Sequence, residues 1–318
     1  MSKIAIMSSG GDCAGMNPAI KKFVDYSISL NLEPYLIYEG LEGLIDDKIQ
    51  KATYSDVSGI VHRGGTIIQT SRSKRFFEKE YRQIAYNNLK QKGIDKIVVL
   101  GGDGSFRAFN VFCAEFGDIK FCGVPSTIDN DIFGTDYCLG VDTALNIISN
   151  ATDSLRDTAS SSKRAFVVET MGRDCGYLAL ITSLISGAEV CIIPEKPIDL
   201  EAKKQKLLSE MQNGRKYIIA IVSEGAKQTT QIVNWLKNDI GIETRVTILG
   251  HIQRGGTPSV FDRLMAFEFT KYAIDHLLNV QEQASVVVYK ESKFDFVSVE
   301  YVNSQKYRIK QDLLDLVE

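Results

Sequence analysis

The strongest constraint on how this chain folds is an end-to-end alternation of short apolar runs with longer amphipathic stretches. Apolar runs at 4–7, 35–38, 97–100, 121–124, 165–169, 190–193, 217–222, 246–249 and 286–289 are too short for helices and read as buried strands. Helical periodicity occupies 16–30, 78–92, 105–116, 142–161, 201–213, 231–239 and 261–278 between them. Such alternation predicts mainly parallel sheets with helices on both faces, a three-layer α/β/α arrangement. The runs outnumber the strands of one comfortable open sheet, so two Rossmann-like domains are expected. Glycine and aspartate cluster at 125–140 and mark the first boundary, and the chain is expected to cross back near Gly255-Gly256-Thr257-Pro258 and again within 293–302. These crossings give a larger domain of 1–139 plus about 253–296 and a smaller one of 140–252 plus about 297–318, with 310–318 as a short docked helix.

Charge and cysteine usage narrow the class. Lys+Arg 37 against Asp+Glu 40 leaves a net charge of −3, which implies no general attraction to nucleic acid or to an anionic membrane. Local basic clusters are therefore read as features of a site. The six cysteines form no C-x-x-C pair and have no histidine at ligand spacing, so reduced thiols are expected. The opening run at 4–7 is too short for a secretory signal, and no run approaches a membrane span, so a cytoplasmic location is expected.

The richest local segment is Pro125-Ser126-Thr127-Ile128-Asp129-Asn130-Asp131. In an extended backbone, side chains two apart share a face, which would group Thr127, Asp129 and Asp131. Two carboxylates there suit a proton acceptor beside a metal or substrate contact, although Asp and Asn also serve as helix caps and turn residues. Two glycine turns follow strands, Gly10-Gly11-Asp12 and Gly101-Gly102-Asp103-Gly104-Ser105. Glycines let backbone N–H groups approach a phosphate whose charge a helix N-terminus favours, and Asp103 is placed to hold Mg²⁺ beside it. Neither turn is a Walker A loop or a G-x-G-x-x-G fingerprint. Arginines recur at element ends, at Arg72, Arg75, Arg156, Arg164, Arg173, Arg245 and Arg254. Met171-Gly172-Arg173 and Gly250-His251-Ile252-Gln253-Arg254-Gly255-Gly256 each present a cation from a glycine turn, as a phosphorylated sugar requires. Glu224, just past a strand, is expected to accept hydrogen bonds from sugar hydroxyls.

Taken together, S-S-G-G-D-C-A-G-M-N, R-G-G-T, G-G-D-G-S, P-S-T-I-D-N-D, R-D-T-A-S-S, E-T-M-G-R and G-H-I-Q-R-G-G-T-P resemble the bacterial ATP-dependent 6-phosphofructokinases. They occur in the family's order over nearly the whole chain. The resemblance implies the phosphofructokinase fold and transfer of a phosphoryl group from ATP to the 1-hydroxyl of fructose 6-phosphate, the committed step of glycolysis. It implies an ATP and Mg²⁺ site at Gly11, Arg72, Ser73, Gly102, Asp103, Gly104 and Ser105, with Asp103 on the metal. Asp129 corresponds to the base, Thr127 and Asp131 to its catalytic neighbours, and Arg173 to the cation on the transferring group. Gly11 and Arg72 count among the catalytic set as well. Met171, Gly172, Glu224, His251 and Arg254 correspond to the sugar-phosphate pocket. Arg164 and Arg245 correspond to residues reaching a neighbouring subunit's site, which implies a homotetramer.

Two further expectations come with the resemblance. Pyrophosphate-dependent relatives carry Asp where this chain has Gly104 and Lys where it has Ser126, so ATP is the expected donor. Lys21, Arg156, Glu189 and Arg215 match parts of an effector site. Asp25, Tyr54 or Thr53, Gly59 and Asn213 depart from it, and weak or altered effector control is expected. The alternatives are a pyrophosphate-dependent or tagatose 6-phosphate kinase and, in a different class, a non-catalytic sugar-phosphate sensor. Joint presence of Asp103, Asp129 and Arg173 speaks against the sensor.

Overall fold

The computed structural model describes residues 2–279 and 282–317. The strands are β1 Lys3–Ser8, β2 Glu33–Ile37, β3 Ile49–Lys51, β4 Ile94–Gly101, β5 Lys120–Pro125, β6 Ala165–Thr170, β7 Val190–Ile192, β8 Ile218–Ser223, β9 Thr244–Ile248, β10 Ala284–Lys290 and β11 Lys293–Ser298. The helices are α1 Met16–Ser29, α2 Gly40–Ile45, α3 Lys79–Lys92, α4 Asp103–Glu115, α5 Val141–Ser162, α6 Tyr177–Ser186, α7 Leu200–Gln212, α8 Thr229–Trp235, α9 Val260–Asn279, α10 Val299–Ser304 and α11 Gln311–Asp315. The chain divides into two compact units, the first holding Met1–Ile128, Ile132–Thr143 and Arg254–Tyr307, the second Asp129–Asp131, Ala144–Gln253 and Arg308–Glu318.

In the first unit a seven-stranded sheet runs β11-β10-β5-β4-β1-β2-β3. Its central strands are parallel and apolar on both faces, as in Ile4–Met7 of β1 and Ile97–Leu100 of β4, because helices cover both sides. The two edge strands are antiparallel, β3 on β2 and β11 on β10. They escape detection as apolar runs because an edge strand buries little: only Ile49 of β3 is buried, and none of β11 is. The second unit carries four parallel strands in the order β7-β8-β6-β9. Its core packs Val167, Ile192, Ala220 and Val222 under Ile232, Trp235 and Leu236.

Three expectations about organisation need adjustment. The last crossing falls at Tyr307/Arg308 rather than near 297. The cause is local: β11 pairs with β10 from Ser285↔Ser298 to Lys290↔Lys293, and Glu300 of α10 accepts from Asn110 of α4 at 2.7 Å. The first boundary falls at Thr143/Ala144 rather than at 139, with Asp129–Asp131 counted in the second unit. The helix expected at 231–239 is the shorter α8, followed by a π-turn at Leu236–Ile240 that closes on Gly241 at φ 79°. The expected C-terminal helix is α11; position 318 lies outside the described residues.

Candidate active site

In the first unit the parallel pairing of β1 with β4 puts the two glycine turns side by side at the carboxyl ends of adjacent strands. Ser9 N donates to Leu100 O at 2.8 Å, and Ser105 Oγ donates to Ser9 Oγ at 2.9 Å, tying one turn to the other. The helix α4 starts at Asp103 directly after Gly102, so its unpaired N–H groups and positive dipole end lie at the strand terminus. Asp103 is half exposed and pairs with Arg107 one turn along, Nη2 to Oδ2 at 3.0 Å. A Cβ on Gly104 would meet only Arg107 Nη2, at 3.9 Å, so the glycine leaves open space there. Gly11 lies against the guanidinium of Arg254. A Cβ there would lie 2.3 Å from Arg254 Nη1, which donates to Asp12 O at 3.1 Å.

The Arg72 loop is drawn to the same place by Thr70 Oγ1, which donates to Gly10 O at 2.9 Å. Arg72 is exposed, whereas Ser73 is buried with its Oγ accepting from Phe76 N at 3.0 Å. The Ser73 hydroxyl therefore shapes its own turn. Ser126 likewise closes on local backbone, donating to Val124 O at 3.0 Å.

The segment after β5 departs from the extended geometry expected for it. Ile128 and Asp129 form a turn and Asn130 is left-handed at φ 50°, so Thr127, Asp129 and Asp131 do not follow a period-two strand pattern. Asparagine tolerates that region through local side-chain hydrogen bonding, which is why a D-N-D sequence turns here. Thr127 belongs to the first unit and Asp129 and Asp131 to the second.

In the second unit Asp129 is buried, 1% exposed, and Arg173 Nε lies 3.3 Å from its Oδ2. Arg173 sits at φ 51° and Gly172 at φ 140°, a backbone that must be held by its surroundings. Glu224 Oε1 accepts from Arg173 N at 2.9 Å, and Gln253 Oε1 accepts from Met171 N at 3.1 Å. Gln253 is itself fixed by donating to Gly250 O at 2.9 Å. The turn is thus clamped while the guanidinium stays half exposed. His251 is exposed on the 3₁₀ turn Gly250–Arg254. Arg164 and Arg245 share one carboxylate, Glu243, at 2.9 and 2.5 Å. The hydrogen bond from Arg164 holds the Glu243 carboxyl below its usual range.

The expected effector residues all have internal partners. Lys21 pairs with Asp25, Arg156 donates to Ser186 O and Tyr217 Oη, and Arg215 pairs with Glu189 and Glu210. A cavity of about 290 Å³ in the second unit has Glu189, Glu210 and Arg215 on its wall.

Two residues that organise these turns went unflagged as site residues. One is Gln253. The other is Asp262, wholly buried, whose carboxylate accepts from Tyr137 Oη, Gly140 N, Thr143 N and Thr143 Oγ1 at 2.5–2.8 Å. Burial pushes its carboxyl above the ordinary value despite those donors. A readable signal exists for it: Asp262 lies in helical register with the buried Met265, Ala266, Phe269 and Ala273.

Among the described residues no helix is long and apolar enough to cross a membrane, and no group of three or more His, Cys, Asp or Glu side chains is gathered for a metal. The six cysteines are free and buried, and burial raises the Cys13 thiol to about 12.

The chain matches the family described as Phosphofructokinase over residues 3–277. It is 57% identical to the ATP-dependent 6-phosphofructokinase of Sulfurimonas denitrificans, covering 100% of this chain and 99% of the relative. Among solved structures, phosphofructokinase from Saccharomyces cerevisiae superposes with a TM-score of 0.89 at 33% identity, over 95% of this chain and 45% of that longer one. The pyrophosphate-dependent phosphofructokinase of Marinobacter aquaeolei gives a TM-score of 0.86 at 19% identity, over 100% of this chain and 92% of the other. That last likeness concerns the fold alone.

Proposed function

We propose, for a chain that belongs to the phosphofructokinase family, that it phosphorylates D-fructose 6-phosphate at the 1-hydroxyl with ATP, giving fructose 1,6-bisphosphate and ADP. The observation that carries the reading is the buried Asp129 carboxylate 3.3 Å from Arg173, on a turn clamped by Glu224 and Gln253. Phosphoryl transfer asks little covalent chemistry of a protein, and positioning and charge neutralisation dominate. Asp129 takes the proton from the sugar 1-hydroxyl as its oxygen bonds to the γ-phosphorus, while the bond from that phosphorus to the ADP oxygen breaks. Arg173 offsets charge on the transferring group. Thr127 and Asp131 orient the reacting hydroxyl, and Met171, Gly172, Glu224, His251 and Arg254 bind the sugar phosphate.

The donor's phosphates are held by the backbone of Gly11 and Gly102–Ser105 at the start of α4, with Arg72 adding charge. The donor set fits Mg²⁺, since a single carboxylate, Asp103, together with nucleotide phosphates is the usual manner of holding that ion. When bound, it neutralises phosphate charge. The open space at Gly104 supports ATP over pyrophosphate, because an acid there would repel the nucleotide's phosphates.

Arg164 and Arg245 would exchange Glu243 for a neighbouring subunit's sugar phosphate in a homotetramer. Internal pairing of Lys21, Arg156 and Arg215 supports weak or altered effector control. The reduced, buried thiols and absence of a crossing helix among the described residues agree with a cytoplasmic location. A coupled assay of fructose 1,6-bisphosphate formation tests the donor. Turnover with MgATP and none with pyrophosphate is expected, and turnover with pyrophosphate alone would refute the reading.

A further inference from the structure

Gln253 and Glu224 hold the first half of the turn 171–176 in the second unit, through Met171 N and Arg173 N. Its far end is held by a third residue, Glu195, whose Oε1 accepts from Gly176 N at 2.8 Å. Gly176 immediately precedes α6, so the carboxylate also faces the positive end of that helix's dipole. The approach is close: a Cβ on Gly176 would lie 2.5 Å from both Ile193 Cβ and Glu195 Oε2. Cys175 N donates to Gly172 O at 2.9 Å, which closes the turn and links what is fixed at Gly176 back to Gly172 and Arg173. The Cys175 thiol, raised to about 12 chiefly by burial, also feels the charges of Glu195, Asp131 and Asp129.

Glu195 is itself set by the C-terminal segment. It lies in a tight turn after β7 that a bridge between Ile193 and Lys196 closes. Lys196 Nζ donates to Leu314 O at 3.0 Å and to Val317 O, carbonyls in and just past the last turn of α11. The ammonium thereby satisfies acceptors that a helix end leaves unpaired. The same turn borders a cavity of about 250 Å³, with Ile193, Lys196, Ile198 and Val317 on its wall. Close packing therefore does not fix it, and the polar ties must.

We infer that Glu195 is a positioning residue for phosphoryl transfer, held in place by the C-terminal helix through Lys196. The inference rests on the function proposed above, in which Arg173 offsets charge on the transferring group. Glu195 touches no reacting atom and acts by fixing the end of the turn from which Arg173 projects. Its loss lets the guanidinium shift, and a misplacement of about 1 Å costs roughly 10²-fold in rate. The first half of the turn, which serves the sugar pocket, keeps Gln253 and Glu224. The effect therefore falls on kcat and spares sugar affinity.

The test compares wild type with Glu195→Ala, Glu195→Gln, Lys196→Met and the double variant Glu195→Ala/Lys196→Met, by steady-state kinetics with MgATP, calorimetric binding of fructose 6-phosphate and thermal melts. Glu195→Ala should lower kcat roughly 10- to 100-fold, with the sugar Kd and the ATP KM within about threefold of wild type. Glu195→Gln keeps an oxygen that accepts from Gly176 N and should recover most of that rate. Lys196→Met should lower kcat about 3- to 10-fold, and the double variant should be within about twofold of Glu195→Ala, because both residues act through one turn. A Glu195→Ala kcat within about twofold of wild type, a glutamine variant as slow as the alanine one, or losses that multiply in the double variant would overturn the inference. Should Glu195→Ala fail to fold, Lys196→Met decides alone, and a kcat within about twofold of wild type overturns it. Wild-type enzyme that makes no fructose 1,6-bisphosphate from ATP would instead remove the proposed function, and the inference with it.

Discussion

On the proposed reading, the two units hold a phosphorylated group at the end of a parallel strand by different means. In the first, after β4, the work falls to backbone: glycines at 101, 102 and 104 and a helix that starts at once with Asp103. In the second, after β6, it falls to side chains on a forced backbone, with Gly172 at φ 140°, Arg173 at φ 51° and Glu224 and Gln253 bracing them. The difference follows from what each partner needs. A polyphosphate is met by many equivalent N–H groups, whereas proton removal and charge stabilisation need one carboxylate and one guanidinium in fixed places.

The braces differ in kind as well, and removing them sharpens the contrast. Asp262 holds the Tyr137–Thr143 turn with an ion, Gln253 the Met171 turn with a neutral amide. Asp262→Ala strands several buried donors, and denaturant unfolding should show a loss of ~3–5 kcal/mol, whereas Gln253→Ala should lose about 1–2 kcal/mol. Similar losses for both would remove the distinction.

A paired glycine substitution probes the backbone. A Cβ on Gly172 would meet Cys175 O at 2.3 Å in a left-handed conformation, while one on Gly104 meets only Arg107 Nη2, at 3.9 Å. Gly172→Ala should cost about 1–3 kcal/mol of stability along with activity, and Gly104→Ala should fold as wild type. Thermal melts of the two variants side by side would expose any error in that ranking.

The smallest effect belongs to the bridge that anchors α3 to α4 behind the donor turn. The hydrogen bond from Arg82 lowers the Glu115 carboxyl below its ordinary 4.5. A depressed carboxyl stabilises the fold above that value and ceases to as pH falls through the folded pKa. Glu115→Gln should therefore be about 1 kcal/mol less stable than wild type at neutral pH, with the gap closing in acid below 4.5. A gap independent of pH would mean that packing, not charge, sets it.

What could be read from sequence divides along the same physical line. The buried strands β1, β4, β6 and β8 announce themselves because both faces are apolar. The edges β3 and β11 do not, since their pattern is half that of a loop. Residues proposed to act through their own chemistry, Asp103, Asp129 and Arg173, stand out in motifs. Those that act by bracing do not: Gln253 and Asp262 owe their roles to partners distant in the chain, as Asp262 does to Tyr137, 125 residues away. The turn at Ile128–Asp129 is hidden for a related reason, since a single left-handed residue, Asn130, leaves no periodic signature in the sequence.

The division of labour is tested most directly by Asp129→Ser, with the rate of fructose 1,6-bisphosphate formation and the calorimetric affinity for fructose 6-phosphate measured on the same preparation. The account predicts a fall in kcat of about 10²–10⁴ with sugar binding retained, because Asp129 moves a proton and Arg173, Glu224 and Gln253 hold the turn without it. A variant that keeps most of its rate, or loses the sugar in proportion to the rate, would contradict it.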